Sequence, residues 1–302
     1  MKSLFLSSLL ALGLLAVPAQ AAEYPAKPIT LMTAFNAGGG SDVSHRLLEK
    51  FAKGVFDQPI VVTYKAGAGG EIGWTWLVGA KADGYTIGGV DLPHIVLQPM
   101  LRPEGQPGYK TEQLSPLCGL VYDADVVMVP EDGPYKTFKD LIEYAKANPG
   151  KVKVATVGKL TGDHLFLMQI EKLTGAKFTQ VPYSGSGKAI PALLSGEVDA
   201  YFGSGSSFLR MEKTRGLAIG SKERYELCPD VPTFIEQGYA IESGKYRGLA
   251  TPQNIPAEAR QYLETKFAEL CANPEYQKAV KSSGLMPQFQ TGKAFGEIIR
   301  TE

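Results

Sequence analysis

Between Ile29 and Gly73 the chain does the same thing twice. An apolar run rich in β-branched residues (Ile29–Ala34, then Ile60–Tyr64) leads into a cluster of glycines, and each cluster gives way to a helical pattern, at Ser41 and at Glu71. A strand, a glycine turn and a helix start leave backbone N–H groups pointing outward without internal partners. The helix dipole adds about half a positive charge there. Two such turns after neighbouring parallel strands would set two anion-accepting tips side by side, a pincer for a small carboxylate.

The rest of the chain alternates in the same way. Asp83-Gly84 turns into a strand over Tyr85–Val90, after a helix over Ile72–Ala80 that carries Trp74 and Trp76. Two apart on a helix, the tryptophans cannot share a face, so one belongs to the core and the other is at least partly exposed. Leu117–Val129 is too long for an ordinary strand and is interrupted by Tyr122-Asp123-Ala124-Asp125, which suggests a strand leaving one sheet for another. A helix over Phe138–Ala147, capped by Thr137 and stopped by Pro149-Gly150, follows. Strands at Val152–Thr156, Phe178–Val181 and Val198–Phe202 then alternate with helices at Asp163–Leu173 and Gly187–Leu194, predicting a second parallel sheet covered on both faces. Gly216–Gly220 reads as a strand and Val231–Gln237 as a short helix. Tyr246–Ala250 is the expected return crossing, and helices over Pro256–Leu270, Glu275–Ser283 and Lys293–Ile299 pack back on the first half.

The fold class is therefore α/β in two lobes, each a sheet flanked by helices, joined by two crossover strands. Lobe 1 takes 22–123 plus 246–302 and lobe 2 takes 124–245. A ligand would sit in the crevice beyond the carboxyl ends of the strands.

The first 21 residues read as a secretory signal: Lys2, an apolar stretch Leu4–Val17, and Ala19-Gln20-Ala21 as the cleavage site. An exported, soluble periplasmic protein, monomeric, is expected. Lysine and arginine balance aspartate and glutamate at 31 each, so nothing suggests a nucleic-acid or anionic-membrane surface, and local geometry must hold any anion. Cys118, Cys228 and Cys271 allow either one disulfide with a thiol left over or three buried thiols.

Enzyme signatures fail one by one. Gly67-Ala68-Gly69-Gly70-Glu71-Ile72 has Ile72 where a dinucleotide fingerprint needs its last glycine, and Gly187-Lys188 is followed by Ala189 rather than Ser or Thr. No nucleophile elbow surrounds Ser186 or Ser206. His45, His94 and His164 have no metal-ligand spacing. No cofactor and no metal are expected.

Many short motifs in one order carry a resemblance over nearly the whole mature chain. They are Tyr24-Pro25-x-Lys27-Pro28-Ile29; Phe35-x-Ala37-Gly38-Gly39-x-x-Asp42-x-x-x-Arg46; Lys65-Ala66-Gly67-Ala68-Gly69-Gly70-x-Ile72-Gly73; and Asp83-Gly84-Tyr85-Thr86. Tyr144 to Gly150, Val181-Pro182-Tyr183-x-Gly185-Ser186-Gly187, Gly196-x-Val198-Asp199, Arg215-x-Leu217-Ala218 and Val231-Pro232-Thr233-x-x-Glu236 complete them. The chain resembles the periplasmic solute-binding proteins of tripartite tricarboxylate transporters, the Bordetella uptake gene (Bug) or TctC family. The resemblance implies a Venus flytrap of the periplasmic binding protein kind. Its two first-lobe loops would hold one ligand carboxylate through backbone N–H groups and bridging waters, while the second lobe selects the distal end. Its partners would be a small mono- or dicarboxylate and membrane transporter subunits. The alternatives are a ligand-sensing subunit feeding a membrane sensor, and an exported hydrolase.

The candidate ligand-binding residues are Phe35, Asn36, Ala37, Gly38 and Gly39 in the first loop and Gly67, Ala68, Gly69 and Gly70 in the second. Thr156, Thr161, His164, Tyr183 and Ser204 face them from the other lobe. Asp42 reads as a helix cap and loop brace, and Arg46 as the partner of a carboxylate within its lobe. Glu71 either lies on the helix flank or faces the cleft and favours a ligand carrying an amine. Ala37 and Ala66 stand where the family has proline, Leu160 replaces a glycine, and Gly203 sits where an aspartate is common. Glu71 and Asp163 bring acidic side chains near the expected pocket, departures that bear on the family's usual ligand preference.

Overall fold

The computed structural model describes residues 23–103 and 108–301; the expected leader over 1–21 lies outside them. The repeated unit at the start forms as read. β1 (Ile29–Thr33) leads to α1 (Gly40–Ala52), and β2 (Ile60–Tyr64) to a 3-10 turn at Ala68–Gly70 and α2 (Glu71–Val78). β3 (Thr86–Leu92) leads to α3 (His94–Leu101). β1 pairs in parallel with β2 on one side and β3 on the other, which puts the two glycine corners at the same edge. Trp74 is fully buried and Trp76 is 37% exposed.

Next comes β4 (Leu114–Pro130), then α4 (Phe138–Ala147), β5 (Lys153–Val157), α5 (Gly162–Thr174), β6 (Thr179–Tyr183) and α6 (Ser186–Leu194). β7 (Ala200–Ser204), the single turn α7 (Gly205–Phe208), β8 (Thr214–Ile219) and β9 (Gly244–Pro252) follow. The chain ends in α8 (Ala257–Ala272), α9 (Pro274–Ser282), β10 (Met286–Thr291) and α10 (Gly292–Thr301). The strands run β2-β1-β3-β9-β4-β7-β5-β6, with β8 and β10 also pairing β4.

β4 belongs to both halves. Leu114–Ala124 pairs antiparallel with β9, whereas Asp125–Met128 pairs with β7 and Val126–Pro130 with β8. The return crossing lies just ahead of the expected Tyr246–Ala250: Ser243 exchanges backbone bonds with Asp125 and Gly220, and from Gly244 the strand is already paired with the first half. The second half is mixed rather than parallel. β5 runs with β6 and β7, but β4 lies antiparallel to β7 and β8.

Val231–Gln237 is not a helix. The Ile219 amide bonds the Pro232 carbonyl and the Phe234 amide bonds the Ile219 carbonyl, so the first part of this backbone is committed to the edge of β8, and the rest turns back through Gln237 on Phe234 and Gly238 on Ile235. Among the elements that escape sequence reading are α3, which opens directly behind Pro93, the single turn α7, and β10, a mostly exposed edge strand.

Three apolar clusters pack around the sheet. One joins Ile29, Leu31 and Leu48 to Leu263 and Phe267 of α8. Another gathers Val127, Phe138, Phe166, Phe202 and Phe234 in the second half. The third runs across both, from Met32, Phe35 and Trp74 to Ala155, Val157 and Tyr201, so the halves are packed against each other. The three cysteines are unpaired and buried. Burial pushes the Cys228 thiol up to about 11 and that of Cys271 to about 12, which leaves both inert.

α4 starts with Thr137 accepting the Asp140 amide at 3.1 Å while Asp140 reaches back to the Thr137 amide at 2.8 Å, a complete capping box. Thr137→Ala should lower the unfolding free energy by about 1 kcal/mol. Urea denaturation reads that loss directly.

Candidate ligand site between the lobes

The floor of the crevice is charged because of strand alternation. Residues two apart on a strand share a face. Asp123 and Asp125 do so on β4, and Lys245 and Arg247 on β9. The register sets Asp91 of β3 opposite Arg247 and Asp123 opposite Lys245. Arg247 reaches Asp91 at 2.9 Å and Asp123 at 2.7 Å. Lys245 is paired with Asp125 and, at 2.8 Å, with Asp163 at the start of α5. All six side chains are buried.

Arg247 also donates to Ser41 in α1 (2.7 Å) and to Ser204 at the end of β7 (3.0 Å), tying one residue of each lobe to the crossing strand. Burial alone pushes both cations toward neutrality, but the flanking aspartates outweigh it and hold Lys245 and Arg247 above their ordinary values. Burial raises the Asp125 carboxyl, while Arg247 wins against burial at Asp91 and keeps that carboxyl below its usual range. His45 and His94 flank the cluster; burial lowers each to about 4, so both are neutral near pH 7.

Above this floor is a cavity of about 20 Å³, room for one water molecule. Helices of both lobes begin on its wall: α1 at Gly40 and Ser41, α3 at His94, α5 at Asp163 and α6 at Ser186. The N-caps of α1 and α6, Gly39 and Gly185, carry no side-chain acceptor. The first-turn amides of these two helices therefore face the crevice uncapped.

Of the residues singled out from sequence, Phe35, Gly39 and Ser204 line the cavity. The Phe35 ring also stands edge-on to Trp74 (6.0 Å) and His94 (5.6 Å), making it wall and core at once. Gly38 adopts φ +86°, a left-handed turn suited to glycine, and its amide is bonded to Asp42 at 2.8 Å. Asp42 is thus the loop brace, helped by Tyr64, and Arg46 pairs with Glu49 at 2.7 Å. Asn36 crosses to Ser184 (2.6 Å), and the Ala37 carbonyl lies against Gly187.

The second corner is elsewhere. Gly67, Gly69 and Gly70 all have positive φ, as does Ala68, but none of them lines the cavity. Gly69 packs on Gly158 and Thr161 of lobe 2, a contact sealed by Gln98 donating to the carbonyls of Lys159 (3.0 Å) and Leu160 (2.7 Å). The two corners do not share one cavity: the first faces it and the second closes the crevice beside it. Glu71 lies on the flank, paired with Arg102 at 2.8 Å, whereas Asp163 is on the cavity wall.

Thr161 caps α5 through the His164 amide (3.4 Å), and His164 Nδ1 accepts from Leu160. Thr156 is buried and accepts from Gln180. The Tyr183 hydroxyl turns away to Glu197. Sequence reading missed Asp91, Asp123, Asp125, Lys245 and Arg247. The available signal was the pair of matched doublets, Asp-x-Asp and Lys-x-Arg, inside otherwise apolar strands.

Comparison with known proteins agrees with this architecture. A family described as "Tripartite tricarboxylate transporter family receptor" (TctC) matches residues 45–301. BugT of Bordetella pertussis is 35% identical over 92% of this chain and 86% of its own. The structure of the periplasmic binding protein BugD superposes with a TM-score of 0.86 at 27% identity, covering 92% of this chain and 94% of that one. MatC of Rhodopseudomonas palustris, solved with bound malate, shares the fold at 22% identity, with a TM-score of 0.84 and 92% and 97% of the two chains covered. The chain belongs to the TctC, or Bug, family of periplasmic solute-binding proteins.

Proposed function

We propose that this protein captures a small organic acid between lobe 1 (22–123 and 246–302) and lobe 2 (124–245), and delivers it to the membrane subunits of a tripartite tricarboxylate-type transporter. The observation that carries this reading is the meeting of two uncapped helix starts, α1 from one lobe and α6 from the other, at one buried cavity. Each is an anion site of about 0.3–2 kcal/mol. A carboxylate touching both is held only when the lobes are together, so binding drives closure. The malate bound by MatC, a protein of the same fold, is in keeping with such a guest. Of the remaining site residues, Asn36, Ala37 and Gly38, together with Gly69 and Thr161, sit where the lobes touch and set how they meet.

A thermal-shift screen of mono-, di- and tricarboxylates tests this. A true guest raises Tm in proportion to RT ln(1 + [L]/Kd); no shift with any carboxylate overturns the reading.

Closure can be blocked separately. A methyl group at Gly187 would overlap the Ala37 carbonyl oxygen across the crevice, yet alanine suits a helix interior. Gly187→Ala should therefore fold normally, lose at least tenfold in affinity, and show no ligand-induced compaction by small-angle scattering.

The buried histidines set a pH limit. His45 faces Asp91, Arg247 and Asp42; His94 faces Asp91, Lys245, Asp163 and Arg247. Their folded values near 4 lie below the unfolded 6.5, so the unfolded chain binds more protons in that window and stability falls as pH drops from about 6.5 to 4. His94→Gln should flatten the Tm-against-pH curve over that range.

A further inference from the structure

The floor and walls of the crevice form a nearly closed electrostatic set. Four buried aspartates (Asp91, Asp123, Asp125 and Asp163) stand against two buried cations, Lys245 and Arg247, leaving two negative charges. Four helices of at least eight residues begin on the cavity wall. Each contributes about half a positive charge. The two contributions roughly cancel. A plain carboxylate adds uncompensated negative charge to a site without bulk water, where such charge is expensive.

The cations are largely committed to the protein. Lys245 lies between two carboxylates, and the terminal nitrogens of Arg247 are bonded to Asp91, Asp123, Ser41 and Ser204, which leaves Arg247 Nε without a partner among the described residues. A guest carboxylate therefore relies mainly on the amides of α1 and α6. On the opposite wall the acceptors are different. Asp163 keeps one oxygen on the Val157 amide (2.9 Å) and turns the other toward Lys245, at the cavity. His94 lies on the same wall, 2% exposed, and among the described residues its Nδ1 has no hydrogen-bond partner. A neutral imidazole nitrogen and a carboxylate together make a receptor for N–H donors.

We propose that the guest is a zwitterion, a small carboxylic acid bearing an ammonium group, with Asp163 and His94 receiving the ammonium and the α1 and α6 amides receiving the carboxylate. The proposal rests on the carboxylate reading above and adds the amine to it. Asp163 is then the specificity-determining residue: a zwitterion leaves the buried charge balance as it is, whereas the same acid without its amine disturbs it.

Isothermal titration calorimetry with acids that differ only in the amine decides the matter: L-aspartate against succinate, L-alanine against propionate, γ-aminobutyrate against butyrate. At least one pair should show the amine-bearing member binding ten or more times tighter, and Asp163→Asn should abolish that preference. Equal or tighter binding of the plain acid in every pair overturns the proposal while leaving carboxylate capture intact. If no carboxylate of either kind binds, the carboxylate reading falls and takes this one with it. A preference that survives Asp163→Asn overturns the role of Asp163. Should that variant fail to fold, His94→Gln, which keeps the wall's charge, must weaken the amine-bearing member more than the plain acid, and an equal effect on both counts against the proposal.

Discussion

The ion pairs at the base of the crevice organise everything above them. Arg247 can hold Asp91, Asp123, Ser41 and Ser204 at once only because β9 lies between β3 and β4 in a register that sets Asp91 beside it and Asp123 on the diagonal. Removing one partner of such a buried set strands the others, at about 3–5 kcal/mol. Replacing all of them by well-packed apolar residues would cost the fold little. Stability alone is therefore a weak account of six buried charges, and their place beneath the cavity is a better one. They also fix where α1 begins and where β7 ends, at Ser41 and Ser204, both on the cavity wall.

The contacts that hold the lobes together differ in kind from those within each lobe. Inside, aromatic and branched side chains pack without water, as Phe138, Phe166, Phe202 and Phe234 do. Much of the crossing between lobes is made by single polar bonds: Asn36 to Ser184, Gln98 to two carbonyls, Arg210 to the Gly38 carbonyl at 3.3 Å. Such bonds exchange readily with water, at about 0.5–1.5 kcal/mol each. The shared apolar cluster, running from Met32, Phe35 and Trp74 to Ala155, Val157 and Tyr201, adds to closure. An interface of this sort can open and close, and a guest that touches both sides shifts the balance by its differential affinity for the closed form.

Local patterns were legible in the sequence where they followed from backbone chemistry. The strand–glycine–helix units, the Thr137 cap, the helix over Phe138–Ala147 and the double membership of the long strand all came from spacing, and the structure places them within a few residues. What stayed hidden depends on contacts distant in sequence. Nothing local says that Asp91 and Arg247, 156 positions apart, are neighbours. Val231–Gln237, expected as a helix, instead bonds Ile219 of β8 through Pro232 and Phe234 and then turns back at Gln237 and Gly238. Glu71 and Asp163 looked alike as acidic residues beside glycine turns. One finds Arg102 on the flank and the other finds Lys245 in the core, and only tertiary structure separates them.

The capping pattern argues most directly for function. α4 and α5 have threonine caps, Thr137 and Thr161, that turn a side-chain oxygen back onto the first amides. α1 and α6, whose starts meet at the cavity, have glycine in that position. Aspartate or serine there would stabilise the helix by a few tenths of a kcal/mol or more over glycine, and would also place the protein's own oxygen where an anion must lie. Glycine does neither. α8, which begins behind Pro256 away from the cavity, also lacks a side-chain cap, so a missing cap by itself marks nothing. At α1 and α6 it coincides with two helix starts facing each other across the crevice, and there the amides are left to a guest.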